Sequence, residues 1–174
     1  MKKAICIVLL ILAMGSMYYF SSQEGYTSSK QSQKVVKLID KVRDKVTLTD
    51  ERLINIKDKI YNELRGYNKE YIVRKAAHFS IYACIGAFML LVLYLFTKKV
   101  MFSSIFSFIL TVMYAIYDEK RQLQVNGRVS SITDVFIDSS GALLSIIFLS
   151  ILLATGKGIE NLYYYFIKKL KNII

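Results

Sequence analysis

The chain has 174 residues, 54% of them hydrophobic, and 24 Lys and Arg against 13 Asp and Glu for a net charge of +11; a composition this apolar excludes an ordinary soluble domain of the same size. The excess positive charge flanks apolar runs, which is the usage of an integral membrane protein and argues against a nucleic-acid partner. Cys6 and Cys84 each lie inside an apolar run with no CxxC or Cys/His spacing, so no disulfide framework or zinc site is supported, and both read as small packing residues.

Residues 4–20 form the first run of near the twenty apolar residues that cross a bilayer as helix. Lys2-Lys3 before it and Ala13-Met14-Gly15 within it resemble a signal peptide, but the run continues through Met17-Tyr18-Tyr19-Phe20, an aromatic cluster suited to a membrane interface, which predicts a retained anchor. Residues 21–75 follow as a loop with thirteen basic and eight acidic residues. Within it Val35, Leu38, Ile39, Val42 and Val46 recur at helical spacing, and so do Leu53, Ile56, Ile60 and Leu64; Thr47 or Thr49 can cap the second of these helices and Gly66 can end it. Two basic amphipathic helices either lie along lipid headgroups or fold over the bundle as a lid. The alternative is a helical hairpin packed on itself.

The second, third and fourth spans are predicted at 76–96, 101–117 and 132–154, with a basic tail at 155–174. Tyr163-Tyr164-Tyr165-Phe166 before Lys168, Lys169 and Lys171 reads as an interfacial anchor. The expected fold is therefore an all-α integral membrane protein, a single domain of four transmembrane helices with a helical extracytoplasmic loop between the first and second. The short segments around Lys2-Lys3, Lys98-Lys99 and the tail are almost purely basic whereas the long loop is mixed, so both termini are expected in the cytoplasm of a cytoplasmic-membrane protein.

Polar residues gather at one depth. Arg74, His78 and Tyr82 share a face at the start of the second span, Tyr114, Asp118 and Gln122 share one at the end of the third if that helix runs past Tyr117, and Asp134 and Asp138 share one on the fourth. Ser21, Ser22 and Gln23 close the first span at the same level. Some of these residues have a plain structural reading: Ser131 and Asp134 have capping-box spacing, Arg74 and Lys75 can snorkel to phosphates, and Glu119 can pair with Lys120 or Arg121 in water. Asp138 is different, because it lies roughly 10 Å beyond Ser131 along the helix among Val135, Phe136 and Ile137. A carboxylate there needs a partner or a wet cavity, with Arg74, Arg128 and His78 the opposite charges on offer, and Gly141 one turn deeper leaves room for a close helix or a ligand.

The stretches FSSQ (20–23), RKAAHFSIY (74–82) and YDEKRQLQVNGRVSSITDVFIDSSGALL (117–144) resemble the VanZ-like family of small bacterial membrane proteins. The chain departs from that pattern at the turn, where Asn126 stands before Gly127-Arg128 in place of the usual proline; relatives often carry asparagine at the position of Asp138. The resemblance implies a cell-envelope role, the founding member being associated with resistance to the glycopeptide teicoplanin.

Two functions follow as expectations. In the first, Arg74 and Arg128 hold a phosphate or carboxylate bidentately, Asp118, Glu119, Gln122, Asp134 and Asp138 order them, Ser22 and Gln23 complete the rim, and Tyr82 and Tyr114 wall a pocket for a membrane lipid, lipid-linked cell-wall precursor or lipoglycopeptide. In the second, the same residues form a membrane-embedded hydrolase or transferase in which His78 moves a proton and Asp118, Glu119 or Asp138 assists. No cofactor motif is present; a divalent cation compatible with this donor set is Mg, Mn or Ca rather than zinc. Four helices without an inverted repeat argue against a transporter monomer.

Overall fold

The structure is a computed structural model that describes residues 2–43, 54, 55, 59 and 68–171, with side chains as far as 156. It is helical throughout its ordered elements: α1 Lys2–Ser21, α2 Gly25–Arg43, α3 Lys69–Thr97, α4 Val100–Gln122 and α5 Ile132–Lys171, with no strand among the described residues. Lys3–Ser21, Lys69–Thr97, Val100–Gln122 and Ile132–Gly156 are each long and apolar enough to cross a membrane. Of the predicted second loop helix only residues 54, 55 and 59 are described, all helical; Leu53, Ile56, Ile60 and Leu64, the caps Thr47 or Thr49 and Gly66, and Val46 of the first loop helix lie outside the described residues. So do the side chains of the tail anchor, Tyr163 to Phe166, Lys168, Lys169 and Lys171.

The helices run further than the apolar runs within them. α3 begins seven residues before the predicted span, where the Asn68 side chain accepts the Glu70 amide at 2.9 Å. α4 continues past Tyr117 to Gln122, and α5 runs unbroken to Lys171 in place of a span followed by a separate tail. Hydrophobicity marks the part of a helix that meets lipid, whereas the helix itself continues wherever its backbone bonds can be made.

α3 is the hub, packing against all four other helices, most extensively against α5. Met17, Tyr82, Ile85 and Ala115 are fully buried at the centre. Helices gain nothing by hiding Leu from lipid that is equally apolar, so close contact relies on small residues. On α4, Ser103, Ser107, Thr111 and Ala115 recur every four residues and are all fully buried. A Cβ on Gly86 would lie 3.0 Å from the Ala142 backbone, and one on Gly141 would strike the Phe79 carbonyl. The space beside Gly141 is therefore filled by α3. Large apolar side chains such as Ile11, Met113, Phe136 and Phe148 point outward instead. Cys84 is exposed on that outer surface and Cys6 half-buried, so Cys84 is not the packing residue expected.

The turn between α4 and α5 is closed by Arg128 N–H on the Val125 carbonyl at 3.2 Å, with Gly127 at φ +71°, a left-handed conformation that glycine adopts without strain. It docks on the start of α2, where Gly25 N–H donates to the Asn126 carbonyl at 3.1 Å and a side chain at Gly25 would collide with Gly127. The ends of α1 and α4 and the starts of α2, α3 and α5 thus meet at one end of the bundle.

Candidate functional site

On the α1–α4 side of that end, the carboxylate is fully partnered, and Arg121 Nε is the one buried side-chain N or O atom left without a hydrogen bond among the described residues. Asp118, 1% exposed, accepts from the Ser21 hydroxyl at 2.6 Å, from Arg121 Nη2 at 3.0 Å and from Gln122 Nε2 at 3.0 Å. Arg121 in turn donates to the Ser21 and Ser22 hydroxyls and to the Tyr18 carbonyl, and lies over the Tyr18 ring at 3.9 Å from its centroid. Tyr114 donates its hydroxyl to the Met14 carbonyl at 2.8 Å. A carboxylate hydrogen-bonded in this way ties the end of α1 to α4.

The α3–α5 side is differently furnished. Lys75 is ion-paired with Asp134, both mostly buried. One turn deeper His78 Nδ1 stands 3.5 Å from Asp138 Oδ2, too long for a hydrogen bond. Asp138 is 1% exposed, and neither of its carboxylate oxygens has a hydrogen-bond partner among the described residues. The Tyr82 hydroxyl and Glu119 Oε1 are also buried and unpaired, and both residues lie within electrostatic reach of Asp138. Buried polar atoms left unpaired on three neighbouring helices are uncommon in a native fold.

Glu119 joins the two sides. Its Oε2 accepts the Ser131 amide at 3.0 Å, while the Ser131 hydroxyl accepts the Thr133 amide at 3.2 Å and starts α5. In a capping box the acid three residues after the cap takes that first amide. Here Glu119 of the neighbouring helix takes it, which frees Asp134 for Lys75.

Near this network two arginines, Arg74 on α3 and Arg128 in the α4–α5 turn, lie within electrostatic reach of one another. Arg128 donates to the Gln23 carbonyl at 3.1 Å and the Phe20 carbonyl at 3.0 Å. Burial, and then the like charge of Arg74, lower the pKa of its guanidinium from the ordinary value; arginine nevertheless stays charged at physiological pH. Arg74 is half-buried and forms no hydrogen bond or ion pair among the described residues.

The expected single pocket is thus divided. Asp118, Gln122 and Ser22 belong to the α1–α4 clamp; His78, Tyr82, Asp134 and Asp138 belong to the α3–α5 side; Arg74 lies in the first turns of α3 and Arg128 in the α4–α5 turn. Gln23 contributes its backbone carbonyl. Three local readings are corrected: Lys75 is held by Asp134 and does not snorkel, Asp134 pairs and does not cap, and Glu119 is buried against Ser131 and does not pair in water. Arg121 had no expected role in the site, although its spacing of three from Asp118 on a helix was a signal for it. Among the described residues no three His, Cys, Asp or Glu side chains come together as metal ligands, because the carboxylates are spread over separate partners.

The profile of one family, VanZ/LLP1, matches residues 6–153 and so takes in all of these side chains. The chain belongs to the VanZ/LLP1 family. Comparison with curated proteins and with solved structures gives no match. The stretches 20–23, 74–82 and 117–144 that carry the resemblance are also the ones that supply the clamp, the His78–Asp138 pair and the arginines. In this VanZ/LLP1 chain those sequence features therefore converge at one end of a membrane bundle.

Proposed function

We propose that this VanZ/LLP1 protein is a cytoplasmic-membrane protein of the bacterial envelope that recognises an anionic amphiphile at the outer membrane interface, and that this recognition lowers the action of glycopeptides and lipoglycopeptides such as teicoplanin. The observation that carries the reading is the pairing of Arg74 with Arg128 beside the membrane-embedded polar cluster. Arg128, whose charge is disfavoured first by burial and then by Arg74, gains most from a phosphate or carboxylate shared with Arg74, which each guanidinium can grip bidentately. Arg128 is anchored by backbone carbonyls, whereas Arg74 retains its donors for a ligand. The unpaired Tyr82 hydroxyl and Asp138 carboxylate beneath supply acceptors for hydroxyl or amide groups of the same molecule. Both termini lie in the cytoplasm in this reading.

The test is susceptibility to teicoplanin and a lipoglycopeptide in a sensitive Gram-positive host expressing the wild type or Arg74→Gln at matched membrane levels. Wild type lowers susceptibility and Arg74→Gln loses that effect. No effect of the wild type, or full activity of the variant, refutes the proposal.

The enzymatic reading rests on one observation, the buried His78–Asp138 pair at 3.5 Å. A carboxylate beside an imidazole can orient it for proton transfer to a lipid-linked substrate. Accumulation of a modified envelope lipid that His78→Gln abolishes would favour this reading over recognition alone.

A further inference from the structure

The faces of α2 are arranged differently from those of a helix packed only on protein. Counting about 100° per residue, Ser28, Ser29, Ser32 and Asp40 occupy one sector, and this is the packed one: Ser28 and Ser32 are buried, Ser29 donates to Glu70 at 2.5 Å and Asp40 accepts from Lys69 at 3.1 Å. Overlapping the edge of that sector at Ile39, a stripe of Val35, Leu38, Ile39 and Val42 is exposed, Leu38 by 62%. Next to it, on the side away from the packed face, Lys30, Lys34, Lys37 and Lys41 form a row at steps of four, three and four, all exposed. Gln33 lies nearly opposite the apolar stripe and is exposed as well.

The position of the helix fixes what meets the stripe. α2 starts three residues after α1, directly beyond the exposed Tyr18, Tyr19 and Phe20. Its partners are the Asn126 carbonyl in the α4–α5 turn and the first two residues of α3. All are ends of membrane spans, so α2 is held at the level where hydrocarbon gives way to headgroups. An apolar stripe edged by lysines at that level fits a phospholipid surface rich in anionic headgroups.

We propose that α2 is an interfacial helix, with Val35, Leu38, Ile39 and Val42 inserted at the headgroup–acyl boundary and Lys30, Lys34, Lys37 and Lys41 bound to anionic lipid phosphates. This makes α2 a lipid-contacting shelf beside the polar site, and it holds whether or not that site takes an amphiphile.

The test uses the full-length chain with Cys6→Ser and Cys84→Ser, carrying either Leu38→Cys or Gln33→Cys labelled with an environment-sensitive fluorophore, in vesicles of phosphatidylcholine with and without phosphatidylglycerol. The expected result is blue-shifted emission at position 38 that a lipid-borne quencher reduces and aqueous iodide does not. At position 33 the reverse holds. Phosphatidylglycerol deepens the shift at position 38, and replacing the four lysines by Gln removes that increment. Quenching of position 38 by iodide would overturn the proposal by placing the stripe in water, and resistance to both quenchers would overturn it by showing that protein covers the stripe. An equal shift with and without phosphatidylglycerol would overturn the lysine–phosphate part.

Discussion

Asp118 and Asp138 are the same residue type, each 1% exposed and each near the same end of the bundle, yet they are treated in opposite ways. Asp118 has three donors within 3.0 Å, including a guanidinium. Asp138 has an imidazole at 3.5 Å and no hydrogen bond among the described residues. A buried carboxylate with a full set of partners is a joint between helices; one without them carries a desolvation cost that the fold alone does not offset. The contrast marks Asp118 as a structural joint and leaves Asp138 as the candidate for function within one polar cluster. In the proposed reading the α1–α4 clamp assembles the site, and the α3–α5 side with Arg74 receives the ligand.

The sharpest way to break this comparison is to remove the joint. Asp118→Ala leaves Arg121, mostly buried, without its carboxylate and is expected to cost about 3–5 kcal/mol, read as a lower unfolding temperature in detergent and less protein in the membrane. Gly141→Val pushes a side chain into the Phe79 carbonyl and prises α5 from α3, at about 1–3 kcal/mol in the same assay. Glu119→Ala removes the acceptor of the Ser131 amide and is expected to cost about 1 kcal/mol. Asp138→Asn keeps the shape and an acceptor and removes a carboxylate that has no hydrogen bond among the described residues, so stability in the same assay changes by less than about 1 kcal/mol.

Much of the architecture was legible because lipid imposes a simple rule: apolar stretches of sufficient length become spanning helices. The faces were legible too, since spacing alone puts His78 with Tyr82 and Asp134 with Asp138. Partner choice was not. Spacing fixes the face of a residue on its own helix but not the register between helices, so Asp134 read as a cap although Glu119 took that role and left it to Lys75. Arg121 was hidden for the same reason, because its partners Ser21, Ser22 and Tyr18 come from a helix about a hundred residues earlier. The stripe on α2 was visible as periodicity, but only the packed serines show which way it faces.

The most direct measurement is a side-by-side thermal unfolding of Asp118→Asn and Asp138→Asn in one detergent. Both exchanges are isosteric, so the comparison isolates the hydrogen bonds and charge at each position. Asp118→Asn is predicted to unfold well below the wild type and Asp138→Asn at or above it. A large loss at Asp138 with none at Asp118 would contradict the division between a structural and a functional carboxylate.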